Sequence, residues 1–134
     1  MRVCHWAMPF LLSAELLAAG FDPVKDVPIS VSSGLLTLVV PKGVHLKVRL
    51  FHVALVSAGT LKLGALPPSQ GVDDAGDPIW RGTIQVPVTA DAMEDPAELV
   101  VTYQPCTEGP DGLCFLPLKR KLRVPLKDLQ AGAN

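Results

Sequence analysis

Val44–His45–Leu46–Lys47–Val48–Arg49–Leu50 alternates without a break, with apolar residues at even positions and basic ones at odd positions. Successive side chains of a strand point to opposite faces. The run therefore predicts a strand with Val44, Leu46, Val48 and Leu50 on one sheet face. His45, Lys47 and Arg49 fall on the polar face. A second run, Arg120–Lys121–Leu122–Arg123–Val124–Pro125–Leu126, directs Leu122, Val124 and Leu126 inward. Pro125 on its outer face marks an edge strand or a strand end.

Working outward, further strands are expected at Ile29–Ser32, Leu35–Val40, Leu61–Leu66, Ile79–Val88 and Glu98–Tyr103. Pro41–Lys42–Gly43 is a turn, Pro67 to Pro78 is a polar loop, and Asp91 to Pro96 is another turn. No internal repeat is visible. Short alternating strands between frequent turns predict an all-β domain, an immunoglobulin-like antiparallel β-sandwich, with a small barrel as the competing architecture.

Composition agrees. Thirteen prolines and eleven glycines favour short strands over long helices. Aromatics are only 5% of the chain, so the core has to be built from Val, Leu, Ile and Ala. Twelve basic residues stand against thirteen acidic ones. That balance gives no electrostatic case for binding nucleic acid or an anionic membrane surface.

The first twenty residues differ from the rest. Arg2 precedes an apolar stretch from Val3 to Ala14, and Leu16–Leu17–Ala18–Ala19–Gly20 follows. This reads as a secretory leader over residues 1–20, with an ordinary ragged amino terminus as the alternative. The domain is then expected over 21–128, with a tail or truncated linker over 129–134. Of the three cysteines, Cys4 lies in the leader. Removal of the leader leaves Cys106 and Cys114, an even count that suits an exported, disulfide-bonded chain.

The cysteines flank a turn-rich connection, Cys106–Thr107–Glu108–Gly109–Pro110–Asp111–Gly112–Leu113–Cys114. A hairpin there would bring their side chains within disulfide reach. In the chain-entropy model a loop this short stabilises by roughly 2.5 kcal/mol, against about 4.7 kcal/mol for a hundred-residue loop. The pair also sits on a loop, where partners can reach it. Spacing alone leaves a staple and a redox site level. Two cysteines without a neighbouring histidine give too few ligands for a metal.

Tyr103–Gln104–Pro105–Cys106, followed by Cys114–Phe115–Leu116–Pro117 and a basic alternating strand, resembles the amino-terminal periplasmic domain of the disulfide reductase DsbD. Upstream, Leu36–Thr37–Leu38, Leu66–Pro67–Pro68, Ile79–Trp80–Arg81–Gly82 and Val86–Pro87–Val88–Thr89 extend the resemblance, which runs from about Leu35 to Leu126. Three features differ from the family pattern. Pro105 stands where glycine is usual, seven residues separate the cysteines, and the loop Gly71–Asp77 lacks an aromatic cap.

The resemblance implies a periplasmic protein-disulfide reductase domain. It would take electrons from a membrane-embedded donor domain and pass them to periplasmic thioredoxin-fold proteins, including those of cytochrome c biogenesis. Cys114 would form the mixed disulfide and Cys106 would resolve it, with no metal or organic cofactor. Tyr103, Gln104, Phe115, Asp73, Asp74 and His45 would line the site. Read from the pattern alone, His45 is an exposed strand histidine, and Asp73 and Asp74 belong to a solvated turn without a full calcium pattern. Lys119, Arg120 and Lys121 are candidate positive charges near Cys114, while Glu108 and Asp111 would raise a thiol pKa if close. The rival functions are an immunoglobulin-like adaptor with a structural disulfide, and a chaperone-like domain docking partners through an edge strand.

Overall fold

The computed structural model describes residues 20–130. The expected leader, apart from Gly20, and residues 131–134 of the expected tail lie outside the described residues. The described residues form ten strands: β1 Ile29–Ser32, β2 Leu35–Val39, β3 Val44–Lys47, β4 His52–Leu55, β5 Gly59–Leu63, β6 Ile79–Trp80, β7 Thr83–Ala92, β8 Ala97–Tyr103, β9 Pro105–Thr107 and β10 Leu118–Val124. Short 3₁₀ turns occupy Val48–Leu50 and Leu126–Leu129. No helix among the described residues is long and apolar enough to cross a membrane.

All the strand pairings are antiparallel. One sheet has the order β1-β2-β7-β5 and a second β10-β8-β4. Their inner faces meet in one core. Leu36 and Leu38 of β2 and Ile84, Val86 and Val88 of β7 join Ala97, Leu99, Val101 and Tyr103 of β8. The fold is an immunoglobulin-like antiparallel β-sandwich. The alternation of β8 is complete, with every second residue buried from Ala97 to Tyr103. That period is what one wet face and one dry face require.

The remaining strands form a third, smaller sheet, β6-β3-β9. Each of its strands adjoins in sequence a strand of a larger sheet. Trp80 ends β6, Gly82 adopts φ +73°, and the chain resumes as β7. Glycine suits that break because a left-handed φ carries no Cβ penalty. Gln104 separates β8 from β9, and the Val48–Leu50 turn separates β3 from β4.

Two sequence expectations are corrected by this arrangement. The 44–50 alternation does not continue as one strand, because β3 and β4 belong to different sheets and the chain must cross between them. Leu50 is consequently exposed rather than buried. The 79–88 run is likewise two strands, and β4 and β9 arise where the sequence predicted none.

Both ends of the domain are tied down. The β1–β2 turn places Ser33 at φ +51° and Gly34 at φ +76°, the two positive values of a primed hairpin turn. The Gly34 N–H donates to the Asp128 carbonyl at 2.8 Å, and the Ser33 N–H donates to the Asp128 carboxylate at 3.2 Å. Leu129, expected in the tail, is fully buried in the core. At the other end the Tyr103 hydroxyl donates to the Pro23 carbonyl at 2.7 Å. The Arg120 guanidinium bridges that hydroxyl and the carbonyls of Val24 and Val27.

Candidate functional site

The small sheet builds the site by register. Antiparallel partners directly opposite each other carry their side chains on the same face. His45 of β3 lies opposite Cys106 of β9, and Cys106 lies opposite Cys114 through an isolated bridge. Leu46 pairs with Trp80, so the next pair out on β3 and the β6 end is His45 and Arg81. The row Cys114, Cys106, His45, Arg81 therefore runs across one face. The alternate residues Val44, Leu46, Trp80 and Pro105 are buried on the other side.

Cys106 and Cys114 form a disulfide, with Cα atoms 3.9 Å apart. The two cysteines differ in exposure. Cys106 is only 1% exposed, whereas Cys114 is exposed. The connection between them is closed by its own hydrogen bonds. The Thr107 N–H donates to the Leu113 carbonyl at 2.9 Å, the Leu113 N–H to the Thr107 hydroxyl at 3.0 Å, and the Gly112 N–H to the Gly109 carbonyl at 3.0 Å. Gln104 braces its base, donating from Nε2 to the Phe115 carbonyl at 2.8 Å.

The pair opens onto a cleft of about 440 Å³ that His45, Asp73 and Asp74 also line. Tyr103 and Phe115 face elsewhere. Tyr103 is fully buried and anchors the amino-terminal lead-in. Phe115 packs on Phe21 with ring centroids 5.7 Å apart. Gln104 acts through the brace just described. Of the six residues expected around the pair, the cleft thus gathers three.

His45 departs most from its sequence reading. It is 8% exposed, not a solvent-facing strand residue. Its strand is central in the small sheet, between β6 and β9, and the Glu108 carboxylate lies against it. Of the charges near the cysteines in sequence Glu108 does line the cleft, but its basic partner Arg81 comes from a distant segment. Glu108 Oε2 accepts from Arg81 Nε at 2.7 Å and lies 2.9 Å from His45 Nδ1. Burial pushes the Glu108 carboxyl up, but the hydrogen bonds from Arg81 and His45 outweigh it and leave its pKa lowered. Arg120 is committed to Tyr103 and the lead-in, away from the sulfurs. The role of Arg81 is invisible locally, because only the β3–β6 register brings it beside Glu108.

The Gly71–Asp77 loop is one wall of the cleft. Asp73 Oδ1 accepts from the N–H groups of Ala75 and Asp77, both at 2.9 Å, which folds the loop on itself. Lys47 reaches across from β3 to pair with Asp73 and, at 3.2 Å, with Asp77. The Lys47 hydrogen bond is the chief reason that the Asp73 carboxyl is lowered from 3.8 to about 2. A depressed carboxyl adds stability that is fully present above its unfolded pKa and is lost as pH falls through the folded value. Here that window runs from 3.8 down to about 2. Lys47→Met should move the Asp73 titration midpoint, followed by carboxyl NMR, up toward 3.8. A midpoint that stays where it was would contradict the pairing.

No family model matches the chain, and no curated protein matches it. Among solved structures it is similar to the crystal structure of the amino-terminal domain of Neisseria meningitidis DsbD in the reduced form. The TM-score is 0.56 and the identity 20%, over 78% of this chain and 89% of that one. The molecule is thus a β-sandwich that carries a surface-opening disulfide on a small third sheet. Its fold is that of a DsbD amino-terminal domain.

Proposed function

We propose that the chain is a thiol–disulfide exchange domain, a protein-disulfide reductase module whose redox centre is the Cys106–Cys114 pair. The observation that carries this is the asymmetry of the two cysteines at an open cleft: Cys114 is an exposed residue and its bonded partner Cys106 a buried one. Exchange proceeds by attack of a thiolate on an accessible disulfide sulfur. In the reduced domain the Cys114 thiolate attacks a partner's disulfide and expels one partner sulfur as thiolate. Cys106 then attacks Cys114, re-forms the internal disulfide and releases the second partner sulfur. Two electrons leave the domain, and two protons end on the partner's thiols.

The surroundings suit that use. Leu113 and Leu116 flank Cys114 and are 57% and 84% exposed, giving a partner an apolar landing beside the reactive sulfur. A staple accounts for less, since hydrogen bonds already close the Thr107–Leu113 connection. The similar Neisseria domain is described in a reduced form, which fits a pair that cycles between states. On this proposal, and as the sequence resemblance implies, the acceptors are periplasmic thioredoxin-fold proteins and the donor is a membrane-embedded domain. The location is the periplasm, and no metal or organic cofactor takes part.

Trapping tests the proposal. Reduced Cys106→Ala protein mixed with an oxidised thioredoxin-fold protein should accumulate a covalent adduct through Cys114, seen on a non-reducing gel and by intact mass. The Cys106→Ala/Cys114→Ala double variant should give none. Absence of the adduct in the single variant would sink the exchange reading.

A further inference from the structure

We infer that His45 accepts the proton of Cys106 during the resolving step, with Glu108 holding the imidazole in the required tautomer; this rests on the exchange reading above. A buried thiol has no water to take its proton, and burial disfavours the thiolate. Cys106 therefore needs a base within the protein, whereas exposed Cys114 does not.

The groups around it narrow the choice. Lys47, on the same strand as His45, is a cation held by Asp73 and Asp77. Asp73 is a weak base, with its carboxyl at about 2. Asp74 is exposed on the outer loop. Glu108 is occupied by Arg81 and His45. His45 lies directly opposite Cys106 and is itself buried.

Its two nitrogens differ. Nδ1 lies 2.9 Å from the Glu108 carboxylate, which accepts only, so the proton of the neutral ring sits on Nδ1. Nε2 is then a free lone pair. It is buried and has no hydrogen-bond partner among the described residues. A disulfide has no proton to offer it; a reduced Cys106 does. The orphan acceptor thus gains its donor in the redox state where a base is wanted.

The step balances. Cys106 Sγ–H gives its proton to His45 Nε2, and the thiolate attacks the Cys114 sulfur of the mixed disulfide. The Cys106–Cys114 bond forms as the Cys114–partner bond breaks, and its electron pair leaves on the partner's sulfur. That thiolate takes a proton from the imidazolium directly or through water.

The test uses the full reduced chain and the aromatic disulfide 5,5′-dithiobis(2-nitrobenzoate), which needs no protein partner. Attack by Cys114 releases the first coloured thiolate, and attack by Cys106 releases the second. In a folded His45→Gln variant the second release at pH 7 should slow roughly tenfold or more, in keeping with loss of a general base. The first release, which reports Cys114, should keep its rate. A second release as fast as in the unaltered chain overturns the inference. Nitrogen-15 NMR of the unaltered chain gives a check that needs no substitution. The His45 Nε2 resonance should shift on reduction while Nδ1 stays protonated, and an Nε2 signal identical in both redox states overturns the inference. A chain with a His45-dependent second release that still fails to form the trapped adduct would sink the exchange reading and leave this one standing.

Discussion

Replacing Cys114 with serine should abolish reduction of a thioredoxin-fold partner and leave the sandwich folded. The loss is complete because serine's hydroxyl cannot attack a disulfide sulfur, and buried Cys106 is not offered to a partner. The fold survives because Cys114 is exposed, so the substitution opens no cavity. What goes with it is the disulfide's own contribution, roughly 2.5 kcal/mol for a loop of this length. A domain of this size has about 5–15 kcal/mol in hand, so the native state persists. The reduced unaltered chain is the proper reference for stability, since it lacks the same bond. Turnover of an oxidised thioredoxin-fold protein supplied with chemical reductant gives the rate, and circular dichroism gives the fold. A rate matching the unaltered chain would reject Cys114 as the exchanging cysteine.

Trp80→Ala carries the largest expected cost to stability, about 3–5 kcal/mol. Trp80 is fully buried. Its ring meets Phe51 edge-on, with centroids 5.3 Å apart, and its Nε1 donates to the Pro67 carbonyl at 3.1 Å. Truncation removes the ring, leaves a cavity under the small sheet and strands the Pro67 carbonyl. Urea unfolding should show the midpoint falling steeply, with a drop in Tm of roughly 10–20 °C. Trp80→Phe keeps most of the volume and loses the hydrogen bond, so it should cost clearly less. Equal losses for the two would mean that the Nε1 contact, not the packing, dominates.

Most of the two main sheets was legible because its signal is local; β4, which completes the second of them, was not foreseen. Period-2 alternation placed β1 and most of β2, β8 and β10 within a residue or two of their ends. The small sheet was not, because its strands are short and each is joined to a strand of another sheet. Nothing in Val44–Leu50 announces that the chain must turn after Lys47 to reach β4. That one break also hid the site. With 44–50 read as one strand with a polar outer face, His45 belongs in solvent; with β3 flanked by β6 and β9, it is buried beside Cys106. The cysteines themselves were conspicuous from their motif. The pairings of Arg81, Lys47 and Glu108 were not, since they join residues 26 or more positions apart and only the register aligns them.

On the proposed function the Cys106–Cys114 bond is made to be exchanged rather than kept. Its reduction potential tests this most directly, by equilibrating the chain in dithiothreitol redox buffers and counting free thiols by mass. Structural disulfides of secreted proteins lie below about −300 mV. The expected potential is clearly less negative than that, within reach of a thioredoxin-fold partner. A value below about −300 mV would make the pair a staple and contradict the account.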